Sequence, residues 1–132
     1  MRITTRRLMI AVAFLAIMLS AGITVHRRYY HLWKAGHYAS IASSLRQDVR
    51  GLRGKGAIKR AFIDDHGLTF VSGPGAGGMS TQDLVSVCLE NAAEYDRVSR
   101  SHRHAAFQLF WPGKPEPAPK PFSYDAAFMP TP

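Results

Sequence analysis

Six histidines, one cysteine and a run of glycines are the residues of this 132-residue chain whose types most readily do chemistry. Gly73-Pro74-Gly75-Ala76-Gly77-Gly78 fits the pattern G-x-G-x-x-G. It follows a strand-like stretch, Leu68–Ser72, and precedes a helix-like one, the setting in which backbone amides meet a pyrophosphate. The remainder of that fingerprint is missing. The acids that follow, Glu94 and Asp96, fall inside the helical stretch, and no second strand-like stretch comes after it. No Lys follows the glycines as a phosphate loop requires. The run therefore reads as a flexible connection, and no cofactor is expected.

The histidines do not converge either. His102 and His104 are two apart and fall on different faces of a helix, and His26, His31 and His37 are spaced by five and six. There is no HExxH and no Cys/His pair with zinc spacing, so no metal is expected. His102 reads as a polar-tipped member of an apolar stripe, and the others as facing solvent or lipid headgroups. Cys88 sits on the same stripe and reads as a small core residue. No serine has the context of an elbow nucleophile. No catalytic residue is assigned, and the chain is read as non-enzymatic. A single Cys also excludes an intrachain disulfide framework.

What the chain must position comes from its start. Leu8 to Val25 is a run of 18 residues without a charge. As a helix it is about 27 Å long, close to the roughly 30 Å hydrocarbon core of a bilayer. Nine of its residues are Leu, Ile, Val or Phe, together contributing about −3 to −5 kcal/mol towards insertion. Arg6 and Arg7 precede it. Arg27, Arg28, Tyr29, Tyr30 and Trp33 follow it, the residue types that a membrane interface attracts. These seven are the expected membrane-interface residues. The reading is a basic region and transmembrane anchor over 1–28, with the lipid bilayer as partner. The competing readings are a signal peptide cut after Ser20-Ala21-Gly22 and a buried core helix, which the short remaining chain would hardly surround. Basic residues flank both ends, so the positive-inside rule nearly balances. A short charged leader points to an amino terminus in the cytoplasm.

Charge is uneven: residues 1–60 sum to +11 and residues 61–132 to −3. Anionic lipid headgroups are the partners this suggests. Nucleic acid is disfavoured, because Arg46, Arg50 and Arg53 share a helical stripe without any recognisable nucleic-acid motif.

Two amphipathic helices follow. Ala35, Tyr38, Ile41/Ala42, Leu45, Val49 and Leu52 form one stripe within 29–53. Leu84, Val87/Cys88, Ala92, Tyr95, Val98, His102, Ala105/Ala106 and Leu109 form another within 81–111, opened by Ser80-Thr81-Gln82-Asp83, which fits a capping box, and stopped by Pro112. The stripes predict an antiparallel helical hairpin. Its Gly-rich connection, 54–80, has room for a β-hairpin of Ile58–Ile63 and Leu68–Val71 around Asp65-His66-Gly67. Seven of the eight prolines lie in 112–132, which reads as a disordered, extended tail. The expected fold is thus mainly α: a transmembrane helix, a helical hairpin and a proline-rich tail.

Thr5–Ala13, the single apolar span, its Arg/Tyr-rich exit, and Ala93-Glu94-Tyr95 through Trp111-Pro112 resemble a set of small uncharacterised planctomycete single-pass membrane proteins. Those proteins carry a Lys-Tyr-Glu run before the aromatic-Pro stop, where this chain has Ser101-His102-Arg103-His104. The likeness spans about a third of the chain. It implies an anchor and a short helical region, and no activity.

Overall fold

The fold is described by a computed structural model covering residues 5–52, 57–73, 78–108 and 114–125. Helix α1 runs unbroken from Thr5 to Gly51, about 70 Å at 1.5 Å per residue. No proline occurs before Pro74, so nothing separates the apolar span from the amphipathic stretch, and the two are one helix. Strands β1 (Ile58–Asp64) and β2 (Gly67–Ser72), helix α2 (Thr81–Phe107) and strand β3 (Phe122–Asp125) follow. The mainly helical architecture, the hairpin of helices and the β-hairpin between them are as the residue patterns predict.

The helices pack antiparallel. His31 meets His102, Ala35 meets Ser99 and Tyr38 meets Tyr95 as one chain ascends and the other descends. The core is built from the two stripes: Tyr38, Ile41, Ala42, Leu45 and Leu52 against Leu84, Cys88, Ala92, Tyr95 and Val98. Val49 and Val87 are partly buried at its edge. The stripe residues therefore hold the hairpin together rather than waiting for a partner helix. The Ser80 hydroxyl accepts from the Gln82 and Asp83 amides at 3.1 and 3.2 Å, supplying partners for two of the four free amides at the start of α2.

The sheet closes one side of the core. Its order is β2-β1-β3, all antiparallel. Ile58 and Ala61 are three apart and would face opposite sides of a regular strand. A register shift between Ile58 and Arg60 turns both inward with Ile63, leaving Lys59 and Arg60 outside. At the tip, Asp64 pairs with Gly67, and the Asp64 carboxylate accepts from the His66 amide at 2.7 Å. No described non-glycine residue has a positive φ, so the turn is not the mirror-image type. Gly67, at φ +116°, supplies the reversal. Its missing side chain also lets the hairpin seat on α1, since a Cβ there would lie 2.8 Å from Ser44 Oγ. The Leu68 amide donates to Asp48 Oδ2 at 3.4 Å.

Two features depart from the sequence reading. The proline-rich segment is not wholly unstructured: Phe122–Asp125 pairs with the free edge of β1, Ile63 opposite Phe122 and Arg60 opposite Asp125. A two-stranded hairpin is marginal in water, and a third strand completes it. Phe122 and Tyr124 pack on the core. The stretch before β3 is tied to α2, with Arg97 Nε donating to Glu116 Oε2 at 2.7 Å and the Glu116 amide donating to Ser101 Oγ at 2.8 Å. The glycine run, second, is only partly described, since 74–77 lie outside the described residues. At its ends Gly73 donates its amide to the Ala57 carbonyl, and Gly78, at φ +145°, lies where a Cβ would come within 2.7 Å of the Ile58 carbonyl oxygen. These glycines serve close backbone approach to β1. Leu109, Trp111 and Pro112 lie outside the described residues.

Candidate functional site

Helix α1 passes from exposed to buried along its length. From Thr5 to Tyr30 every side chain is exposed except the half-buried Thr24, and the large apolar residues between Leu8 and Val25 are 56–69% exposed. An 18-residue window of this helix has a mean hydropathy of 2.5 and no buried residue. It is one helix long and apolar enough to cross a membrane. The first buried residue is His31, and from there α1 belongs to the core.

The expected interface residues all lie on α1. Arg6 and Arg7 are exposed before the apolar run, and Arg27, Arg28, Tyr29, Tyr30 and Trp33 are exposed after it. They do more than line a surface. The Arg28 guanidinium sits over the Phe107 ring, 4.9 Å from its centre. Trp33 stacks on His37 at 5.8 Å, with Lys34 Nζ 5.5 Å from the Trp33 ring. Tyr30 meets the His31 ring edge-on at 5.5 Å.

Behind them lies a buried polar pair that the sequence reading missed. His31 was expected to face solvent or headgroups; it is 6% exposed, and His102 is 7% exposed. Their Nδ1 atoms are 3.1 Å apart across the two helices, so one ring donates and the other accepts. Tyr38 packs on His102 at 5.6 Å and stacks on Tyr95 at 6.0 Å, and the Ser99 hydroxyl donates to the Ala35 carbonyl at 2.8 Å. Burial lowers the pKa of His31, with Arg27 adding to the effect. Burial also lowers that of His102, followed by the charges of His31 and Lys34. Both therefore favour the neutral form, which is the form that can share one proton. The signal for His31 was in the spacing: 31, 35, 38, 42, 45, 49 and 52 alternate steps of four and three, one continuous seam. Taking the helix to begin its stripe at Ala35 hid its first member.

Elsewhere, Cys88 is buried and its thiol is pushed up to about 11 by burial and then by Asp48, the behaviour of a packed core residue rather than a nucleophile. Burial also raises the Tyr95 phenol, with Asp65 the next contributor. Of the basic stripe, Arg46 is paired with Asp96, while Arg53 lies outside the described residues. Among the described residues no three of His, Cys, Asp and Glu are grouped to hold a metal ion. No protein-family model, curated protein or solved structure matches the chain.

Proposed function

We propose that the chain is a single-pass membrane protein, anchored through residues 8–25, whose helical hairpin and sheet form a non-enzymatic interaction or accessory module held against the bilayer surface. The observation that carries this reading is the apolar half of α1: its side chains have no protein to pack on, and lipid is the solvent that removes them from water. The aromatic and basic residues at its end support the same placement, with Tyr29, Tyr30 and Trp33 at headgroup depth. The likeness of Thr5–Ala13 to small planctomycete membrane proteins accords with it. A nucleic-acid role is disfavoured by the pairing of Arg46 with Asp96 and of Arg60 with Asp125, which neutralises part of the basic charge of the first half of the chain.

The test is carbonate washing of membranes from cells making the full chain, followed by protease protection and amino-terminal sequencing. The expected result is a wash-resistant chain that retains residues 1–22, with the module digested only from the face opposite the cytoplasm. A mature chain beginning at Ile23, or full-length chain that is monodisperse in buffer without detergent, would overturn the reading.

A further inference from the structure

The foot of the apolar helix carries a cleft of about 180 Å³ between Ile23–Val25, Arg27 and Arg28 of α1 and the end of α2 from Ala105 to its cap Gln108. Its walls are Ile23, Val25, Ala105 and Phe107, and its cations are Arg27 and Arg28. Among the described residues neither arginine forms an ion pair, whereas Arg46, Arg60 and Arg97 each do. The next acid along α1 is Asp48, and every acid of α2 precedes Arg97. Neither helix therefore brings an acid to this end of the hairpin, and Glu116, which packs on α2, is paired with Arg97. The Arg28 guanidinium carbon lies 4.9 Å from the centre of the Phe107 ring, an attraction to the ring that leaves the charge uncancelled by any carboxylate, and a guanidinium is the side chain that binds an oxyanion in bidentate fashion. From Val25 the two arginines are only about 3–5 Å further along the helix axis, the depth at which lipid phosphates lie. A shallow apolar face along Ala16, Ser20, Ala21 and Thr24 adjoins the cleft on the span side, sharing Thr24 and Val25 with it.

We propose that this cleft binds one anionic phospholipid, its phosphate held by Arg27 and Arg28, its glycerol against Phe107 and one acyl chain along that face. The inference rests on the membrane-anchored reading and adds a specific lipid to it. The cleft is apolar below and cationic at its rim, matching a phospholipid in both charge and depth. A plain alternative use of the arginines is to complement the carbonyl end of α2, and the test separates the two.

The full chain is placed in nanodiscs of phosphatidylcholine with a minority of phosphatidylglycerol, extracted in mild detergent, and its retained lipid counted by native mass spectrometry. The expected result is one retained phosphatidylglycerol per chain. Arg27→Gln with Arg28→Gln should weaken retention roughly 30-fold, about fivefold for each cation near the surface. Thr24→Phe, which fills the cleft and leaves both charges, should also abolish retention. Lys59→Gln with Arg100→Gln, equal in charge and distant, should leave it intact. Inorganic phosphate should not compete, which separates a lipid from a free-anion site. The proposal is overturned if phosphatidylcholine is retained equally, if Thr24→Phe retains lipid, or if the double glutamine variant lowers thermal stability by the same amount in discs with and without phosphatidylglycerol. If the chain fails to enter discs at all, the membrane reading itself fails.

Discussion

Replacing His31 and His102 together with phenylalanine should flatten the acid side of the unfolding profile. In the native chain the two Nδ1 atoms are 3.1 Å apart, which leaves room for one proton between them. Protonating both rings would set two donors and two positive charges against each other in a buried contact, beside Arg27 and Lys34 and between the rings of Tyr30 and Tyr38. Burial first and those charges second lower both pKa values below 6.5, so the unfolded chain binds protons that the folded chain refuses. The sign follows: the pair's contribution is complete above the unfolded value and is lost as pH falls towards the folded one. Each refused proton lowers stability by about 1.4 kcal/mol per pH unit across that window. Even one such unit is a sizeable part of a small module's stability. The assay is denaturant unfolding of the full chain in detergent micelles, followed by circular dichroism, at about pH 7 and about pH 5. Single His102→Phe should be worse than the double variant at neutral pH, because it leaves the His31 Nδ1 buried without its partner, at about 1–3 kcal/mol. An unchanged midpoint in acid for the native chain would refute the reasoning, as would an equal acid loss in the double variant, which retains the other four histidines.

Three further outcomes test the packing. Cys88 should react with a thiol reagent at least about 100-fold more slowly in the folded chain than in denaturant, since raising its pKa from 9.0 to about 11 depletes the thiolate by that factor before access is counted; comparable rates would place it outside the core. Gly67→Ala should cost about 1–3 kcal/mol, combining an unfavourable φ with a Cβ 2.8 Å from Ser44 Oγ. Adding Ser44→Gly should recover only the steric part, and an unchanged melting temperature in the single variant would deny the tight hairpin seat. Gly36→Ala, at an exposed helical position with nothing within 4 Å of the new Cβ, should stabilise by about 0.4–1 kcal/mol through the unfolded chain, and a loss of stability would contradict an open, continuous α1 there.

Local rules carried most of this fold. The stripe from Ala35 to Leu52, the stripe of α2, the Ser80 cap and the two strands about Asp65-His66 each rest on the spacing of a few neighbours, and such spacing is visible in a sequence. Long-range pairing is not. Strand β3 is four residues at the end of a proline-rich stretch, and its only reason to be a strand is the open edge of β1, some sixty residues earlier in the chain. Alternating prolines suit an extended backbone either way, so solvated and strand-forming readings share one composition. The histidine pair fell between these cases. Spacing placed His31 on the seam, but its partner is 71 residues away, and a polar residue at the edge of an apolar stripe is as easily assigned to solvent. The seven residues expected at the interface are exposed on α1, whereas the seating of Arg28 on Phe107 required the register of the two helices.

That register also sets what the module owes to its anchor. Every core residue that α1 contributes lies at His31 or beyond, and every large apolar residue from Leu8 to Val25 is exposed. One helix thus passes from an exposed apolar run to a core-forming stretch, and the change falls within the six residues from Val25 to Tyr30. Removal of residues 1–22 would spare all the core contacts while deleting most of the apolar run, so folding of the module and insertion of the span are separable events. Function need not be separable. No proline lies between them, and helical hydrogen bonding is continuous through Arg27 and Arg28, so no proline kink uncouples the span from the hairpin. In the proposed membrane-anchored state, that continuity would fix the module's surface in height and azimuth above the bilayer. An inserted helix break, for example a Gly-Pro pair after Val25, should leave carbonate-resistant insertion and the denaturant midpoint of the hairpin unchanged while widening the distribution of distances from a spin label on α2 to the membrane surface. An equally narrow distribution in the broken variant would mean that the junction itself, rather than the continuous helix, holds the module in place.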